Sequence, residues 1–421
     1  MRRHGVRRTP IAWALAWTWV LGLTAISVEA QQPAGFQSLN PDISVIGDFL
    51  VDLSPDHPRF TEDGRRFGLR EIELGLQAAV DPFFRADFFL GIHGDAIEVE
   101  EAYLTALALP GEVQARVGRF HLPMGKVNLT HRPELLTVEY PLAIRTYFSD
   151  EGFTGTGISA SRIFAPFGYF QEIQLFVLNG VEAEGHMHAN GHGHDHDDHD
   201  HADVPQDAMI GGPDRTGLEQ VAFLAHLRQF HELSPAANLE LGLSAATGSV
   251  ERYRLPGTGS SDPSGTAPDL LRAFRTQRLY GGNAVFRWRP PLQGLYRSFR
   301  WEVEGFGHDG PESLVWGGFT QAQWQAGRRT HLGARFDAVQ LPGSQEAEVH
   351  GEGVERHGHL HLDEGGDWTY AASGTFTFFP SEFSRFRLAV ERTFGEGWDE
   401  ANWRAVFQTT FSIGPHRPHP F

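Results

Sequence analysis

Cysteine is absent from this chain of 421 residues, and Lys126 is its single lysine. Without cysteine there can be neither a disulfide framework nor a thiolate metal site. Positive charge is also short: 35 basic against 53 acidic side chains give a formal charge of -18, which argues against a nucleic-acid partner and suits cations. Long apolar runs are scarce. One spans Ile11 to Ile26, behind Arg2, Arg3, Arg7 and Arg8 and ahead of Val28-Glu29-Ala30. This is the pattern of an export signal over residues 1–30, and its removal would leave the rest more acidic still. Beyond it no run approaches the ~18–20 apolar residues of a spanning helix. Sequential enzyme signatures are missing too: G-x-S-x-G, H-E-x-x-H and G-x-x-x-x-G-K-[ST] do not occur. The expectation is a protein without enzymatic activity, leaving open only a site assembled in space.

What the chain does have is alternation. Ile72, Leu74, Leu76 and Ala78 alternate with Glu71, Glu73, Gly75 and Gln77. After Asp81-Pro82 the pattern resumes with Phe84, Ala86, Phe88 and Leu90. Near the other end, Phe386, Leu388 and Val390 alternate with Arg385, Arg387 and Glu391. A period of two with one apolar and one polar face implies half-buried antiparallel strands. A soluble sandwich and a membrane barrel can both use them.

The connections discriminate. Tight turns such as Asp81-Pro82, Leu109-Pro110-Gly111-Glu112 and Ala165-Pro166-Phe167-Gly168 take turns with long polar links. The long links run over 54–66, 121–152, 181–217, 248–276 and 341–367. Short turns on one rim and long loops on the other predict an all-β transmembrane antiparallel barrel over residues 31–421, with about sixteen strands. Trp288, Trp301, Trp316, Trp324, Trp368 and Trp403 fall near strand ends, where interfacial girdles sit. A barrel of this size is expected to hold a water-filled lumen. The last alternating strand leads to Phe421, the kind of aromatic terminus that barrel-assembly machinery reads.

Two links carry metal-type chemistry. The stretch 186–201 reads HMHANGHGHDHDDHDH, with His186, His188, His192, His194, His196, His199 and His201 as ligand candidates and Asp195 among them. Neutral imidazole binds Zn²⁺, Cu²⁺ and Ni²⁺, and a neighbouring carboxylate can ligate or accept the second ring N–H. Alternate spacing in a polar segment offers many overlapping ligand sets, hence several weak, exchanging sites that protonation below about pH 6 would empty. A sparser cluster, His350, His357, His359 and His361, is interleaved with Glu348, Glu352, Glu355 and Asp363. By strand order both links cross the long-loop rim. His57, His93 and His308 join that rim too and are read as incidental.

Glu101-Ala102-Tyr103-Leu104 followed by Val117-Gly118-Arg119-Phe120-His121-Leu122-Pro123-Met124-Gly125 resembles the phosphate-selective porin family. Gly155-Thr156-Gly157-Ile158-Ser159 is similar to the glycine strand that follows the long loop in that family. The specific match covers about residues 97–178. The ending of the chain also resembles a subgroup with histidine-rich loops associated with zinc supply. The resemblance implies a sixteen-stranded outer-membrane channel, a homotrimer by analogy, and a constriction formed by the link after His121. His121, Lys126, His131, Arg132 and Glu134 are its candidate lining residues. His131 and His121 with Glu134 would make a second metal station, or else bond to the barrel wall. Phosphate selectivity does not carry over, because this link mixes Glu134, Glu139, Asp150 and Glu151 with Lys126, Arg132 and Arg145.

The sequence-level expectation is therefore an outer-membrane porin that needs no cofactor, contacts membrane lipid, and captures divalent metal, Zn²⁺ first, for passive uptake. A general porin with incidental metal binding and a barrel-anchored metal-sequestering or adhesion protein stay open.

Overall fold

A computed structural model describes residues 41–179, 221–254, 271–309, 314–342, 345–350, 357–362, 366–395 and 402–414, apart from 56, 57, 62, 63 and 95. The proposed signal, the tract from His186 to His201, His57 and Phe421 lie outside the described residues.

The first strands are β1 (Asp42–Asp52), β2 (Phe67–Ala79), β3 (Phe84–His93), β4 (Ala96–Leu109) and β5 (Val113–His121). After a long link come β6 (Thr154–Phe164), β7 (Phe170–Leu178), β8 (Ala222–Ser234) and β9 (Ala237–Arg254). Then follow β10 (Leu271–Trp288), β11 (Ser298–Asp309), β12 (Leu314–Gly327) and β13 (Thr330–Gln340). A separate hairpin, β14 (Gln345–His350) and β15 (His357–Leu362), precedes β16 (Trp368–Ser381), β17 (Ser384–Gly395) and β18 (Asn402–Ile413). All except the hairpin form one closed antiparallel barrel of sixteen strands, with β1 paired to β18 from Val45↔Ile413 to Asp52↔Val406. No described helix is long and apolar enough to cross a membrane.

The alternation has a direct structural meaning. Leu175, Val177, Leu243, Phe376 and Leu388 are exposed on the outer face, while Glu73, Ser159, Glu240 and Arg387 are buried toward the interior. The fold is that of outer-membrane barrels, with lipid outside and polar groups inside. Trp316, Trp368 and Trp403 lie toward the rim of long links, and Trp288, Trp301 and Trp324 toward the rim of tight turns. Two links differ from expectation. The one assigned to 248–276 is shorter, because β9 continues to Arg254 and β10 begins at Leu271. The one over 341–367 contains β14 and β15, whose backbone register sets His350 opposite His357 and Glu348 opposite His359.

The interior corrects a larger expectation. The lumen is not simply water-filled, because the link between β5 and β6 folds into it and packs there. Leu122, Met124, Val127, Leu135, Ile144 and Phe148 are buried against an apolar arc of the inner wall that includes Phe176, Leu224, Leu279, Phe306 and Phe319. Phe148 sits 4.4 Å from Phe153 and 5.7 Å from Phe306 between ring centroids. Removing these side chains from water drives the insertion. The segment contains two short 3-10 turns, Val127–Leu129 and Arg132–Glu134, and a six-residue helix α1 (Leu142–Tyr147). Asn128 closes its neck: the side-chain amide donates to Leu122 O at 2.7 Å and Phe153 O at 2.8 Å and accepts from Phe153 N–H at 2.7 Å. Gly125, with φ +86°, makes the turn onto β11, where a Cβ would lie 2.1 Å from Glu304 Oε2.

Candidate functional site

The polar arc opposite that core is where the inserted segment meets charge. A β-bulge between Phe89 and Leu90 pairs Phe89 with Glu101 and Leu90 with Val99, which makes Glu100 the extra residue. A second irregularity pairs Asp48 with Glu71 and Phe49 with Leu69, which makes Arg70 extra. Strict alternation would send neighbours to opposite faces. The bulges instead aim Arg70 and Glu71, and Glu100 and Glu101, into the interior together.

These side chains receive the segment. Glu101 accepts from the His121 backbone N–H at 3.0 Å, and its other oxygen is 3.0 Å from His131 Nε2. His131 Nδ1 lies 2.7 Å from Glu100 Oε2 and 3.0 Å from Glu73 Oε2. Burial disfavours a charged ring, but the Glu73 carboxylate and the hydrogen bonds to Glu100 and Glu101 outweigh it and hold the His131 pKa well above its ordinary 6.5. His131 is thus an imidazolium seated among three wall carboxylates. The His121 ring stands against it, 5.1 Å between centroids.

Sequence-predicted partners fall into separate places. His121 and His131 do come together. Glu134 does not join them; it lies beside Arg385, since the 3-10 turn carries it away from His131. Lys126 reaches across to Glu240 on β9 at 3.0 Å. Arg132 pairs with Glu139 at 2.9 Å and with Glu151 at 2.5 Å. Burial works against the Glu139 carboxylate, but Arg132, Arg70, Arg404 and Arg145 hold it far below the usual carboxylate range. His308 stacks on Tyr147 at 5.3 Å. Only the backbone is described at His350, His357, His359 and His361.

Wall arginines are spent on the segment's backbone. Arg70 donates to Val138 O at 2.7 Å, Arg335 to Glu139 O at 2.8 Å and Arg387 to Leu135 O at 2.8 Å, while Arg385 donates to Pro133 O. A narrow cleft, partly open to solvent, remains between the segment and β4–β5. Glu98, Glu100, Glu151 and His121 line it with Arg119 and Arg132.

Sequence reasoning missed Glu71, Glu73, His93 and Glu100 as site residues. Among the described residues, two groups have ligand atoms within 4.8 Å of one another: Glu73, Glu100 and His131, and Glu71, His93 and Glu100. The first is already joined through the ring nitrogens of His131. In neither does Glu134 take part.

No family model matches the chain. An uncharacterized protein of Aquifex aeolicus (strain VF5) is 26% identical over 371 residues, covering 85% of this chain and 70% of that protein. Among solved structures, Pseudomonas putida OprB at high pH is similar with a TM-score of 0.51 at 9% identity, covering 89% of this chain and 94% of that one. The loop L8 deletion mutant of OmpT, an outer membrane protein of Vibrio cholerae, has a TM-score of 0.50 at 7% identity and covers 89% and 99%. At these identities the likeness is one of fold, the outer-membrane barrel.

Proposed function

We propose that the chain is an outer-membrane channel of porin type that passes small cations, and whose histidine-rich links gather divalent metal, Zn²⁺ first, for diffusion inward. The acidic cleft beside the inserted segment carries this reading. Its carboxylates, Glu98, Glu100 and Glu151, outnumber the two arginines that line it, Arg119 and Arg132, and Arg132 is already paired with Glu139 and Glu151. Meanwhile several wall arginines that could favour anions are occupied by backbone carbonyls. A lumen with that balance attracts cations and repels phosphate.

The histidines supply capture. The tract over 186–201 follows β7 and precedes β8 in the chain, and this order supports a position on the rim of long links. The second cluster lies on the hairpin of the same rim, with Glu346 opposite His361 in register. Weak sites there raise the local metal concentration without trapping the ion. No cofactor and no bond chemistry are needed, and the gradient drives flow.

Planar-bilayer recording tests both parts. A salt gradient should give a cation-selective reversal potential, and a Zn²⁺ gradient should drive a current that falls on deletion of 186–201. An anion-selective potential sinks the channel reading as stated. Unchanged zinc flux and unchanged zinc-limited growth after the deletion leave a general porin.

A further inference from the structure

We propose that Glu71, His93 and Glu100 form a buried binding site for a divalent cation of the Zn²⁺ class, set in the barrel wall. The site rests on its own ligand geometry and stands whether or not the barrel conducts.

Three consecutive strands supply one ligand each, and the ligand atoms lie within 4.8 Å of one another. Glu71 is fully buried, and no N–H or hydroxyl of another residue meets its carboxylate oxygens; its one side-chain partner is the Glu100 carboxylate, with which it shares a proton when no cation is bound. Glu100 divides its work. Its Oε2 takes His131 at 2.7 Å, while its buried Oε1 meets no N–H or hydroxyl of another residue. His93 Nδ1 lies 3.3 Å from Arg70 O. A carbonyl can only accept, so Nδ1 carries the hydrogen and Nε2 turns a lone pair into the site, where it too has no partner. Buried acceptors converging without a donor are rare, because each has lost its water.

A cation resolves the arrangement. Two carboxylates and a neutral imidazole balance a charge of two, and three protein ligands with an open position suit zinc. The supporting contacts have the form that metal sites need: Arg70 O fixes the His93 tautomer, and His131 orients Glu100. The guanidinium of Arg70, next to Glu71 in the chain, is turned away to Asp48 and Glu139. Room is left by Gly91, where a Cβ would lie 2.3 Å from Glu100 Oε1 and 2.7 Å from His93 Nε2.

The test uses the full chain folded in detergent, with Zn²⁺ as the probe. Crystals grown with Zn²⁺ and measured at the zinc edge should show an anomalous peak about 2.0–2.2 Å from Glu71, His93 and Glu100. In solution, competition against a chromogenic chelator should reveal one tight site per chain above the weak ones. Glu71→Gln should weaken that site at least tenfold. So should Gly91→Ala, which keeps every ligand but fills the space. Deleting 186–201 should leave it intact. Zinc found elsewhere in the crystal with none at this position overturns the proposal without any variant. So does a tight site that survives both substitutions in chains whose heat-modifiable gel mobility reports a closed barrel.

Discussion

Glu101 and His131, thirty residues apart, meet at 3.0 Å inside the barrel, and the same carboxylate holds the backbone N–H of His121. One wall residue therefore fastens both the entry of the inserted segment and the start of its second 3-10 turn. Glu101→Gln keeps an acceptor but removes the charge facing a buried imidazolium. Breaking one partner from a buried pair costs about 3–5 kcal/mol. The segment should undock part of the time, which single-channel recording would register as larger mean conductance with added flicker. Conductance and noise identical to the parent would show that Glu101 does not fasten it.

Glu139 gives docking its pH dependence. Its folded pKa lies far below its ordinary 4.5 because four arginines outweigh burial. A depressed carboxylate contributes stability that is complete above the unfolded value and is lost as pH falls through the folded value. The docked state should accordingly hold from pH 8 down through pH 5 and yield only in stronger acid. Glu139→Gln should weaken docking at pH 7 and flatten this acid limb. Conductance recorded against pH for both proteins checks the sign. A rise in parent conductance already near pH 6 would contradict it.

Much of this was readable beforehand, and the failures have physical causes. The number and sense of the strands followed from the period of two and from alternating short and long links, because lipid and lumen each select one face. The motif beginning at Glu101 was visible as a motif, but its purpose was not. Arg70 and Glu100 are extra residues at bulges. Alternation assigns each to the face opposite its inward neighbour, so the pairing of Glu100 with Glu101 was hidden. His93 looks incidental in the sequence because its partners lie on other strands. The packed interior did leave a trace. In β7 the alternation fails at Leu175-Phe176-Val177-Leu178, apolar on both faces, which means lipid outside and something other than water inside.

Arg387 joins wall and segment through two carbonyls, those of Leu135 and Thr137, and through Gln408. Arg387→Leu removes the donors and leaves buried acceptors unpaired at about 1–3 kcal/mol each. Two effects should appear together: a larger conductance as the stretch from Leu135 to Thr137 loosens, and a reversal potential shifted further toward cations. A shift toward anions would mean that the charge of Arg387 does not set the potential along the permeation path.

The apolar side of the segment can be probed without touching any charge. Phe148 is buried between Phe153 and Phe306, on the arc opposite the carboxylates. Phe148→Ala removes a ring from a closed core, and such truncations cost about 3–5 kcal/mol when the cavity cannot collapse. The barrel strands keep their hydrogen bonds, so gel mobility and strand content should stay as in the parent. What should change is the segment: protease should cut between residues 122 and 153 in the intact barrel, and conductance should rise. Because Glu98, Glu100 and Glu151 are untouched, the reversal potential should move little. If instead selectivity collapses while the segment stays protected, the apolar core positions the cleft carboxylates rather than merely holding the segment in place.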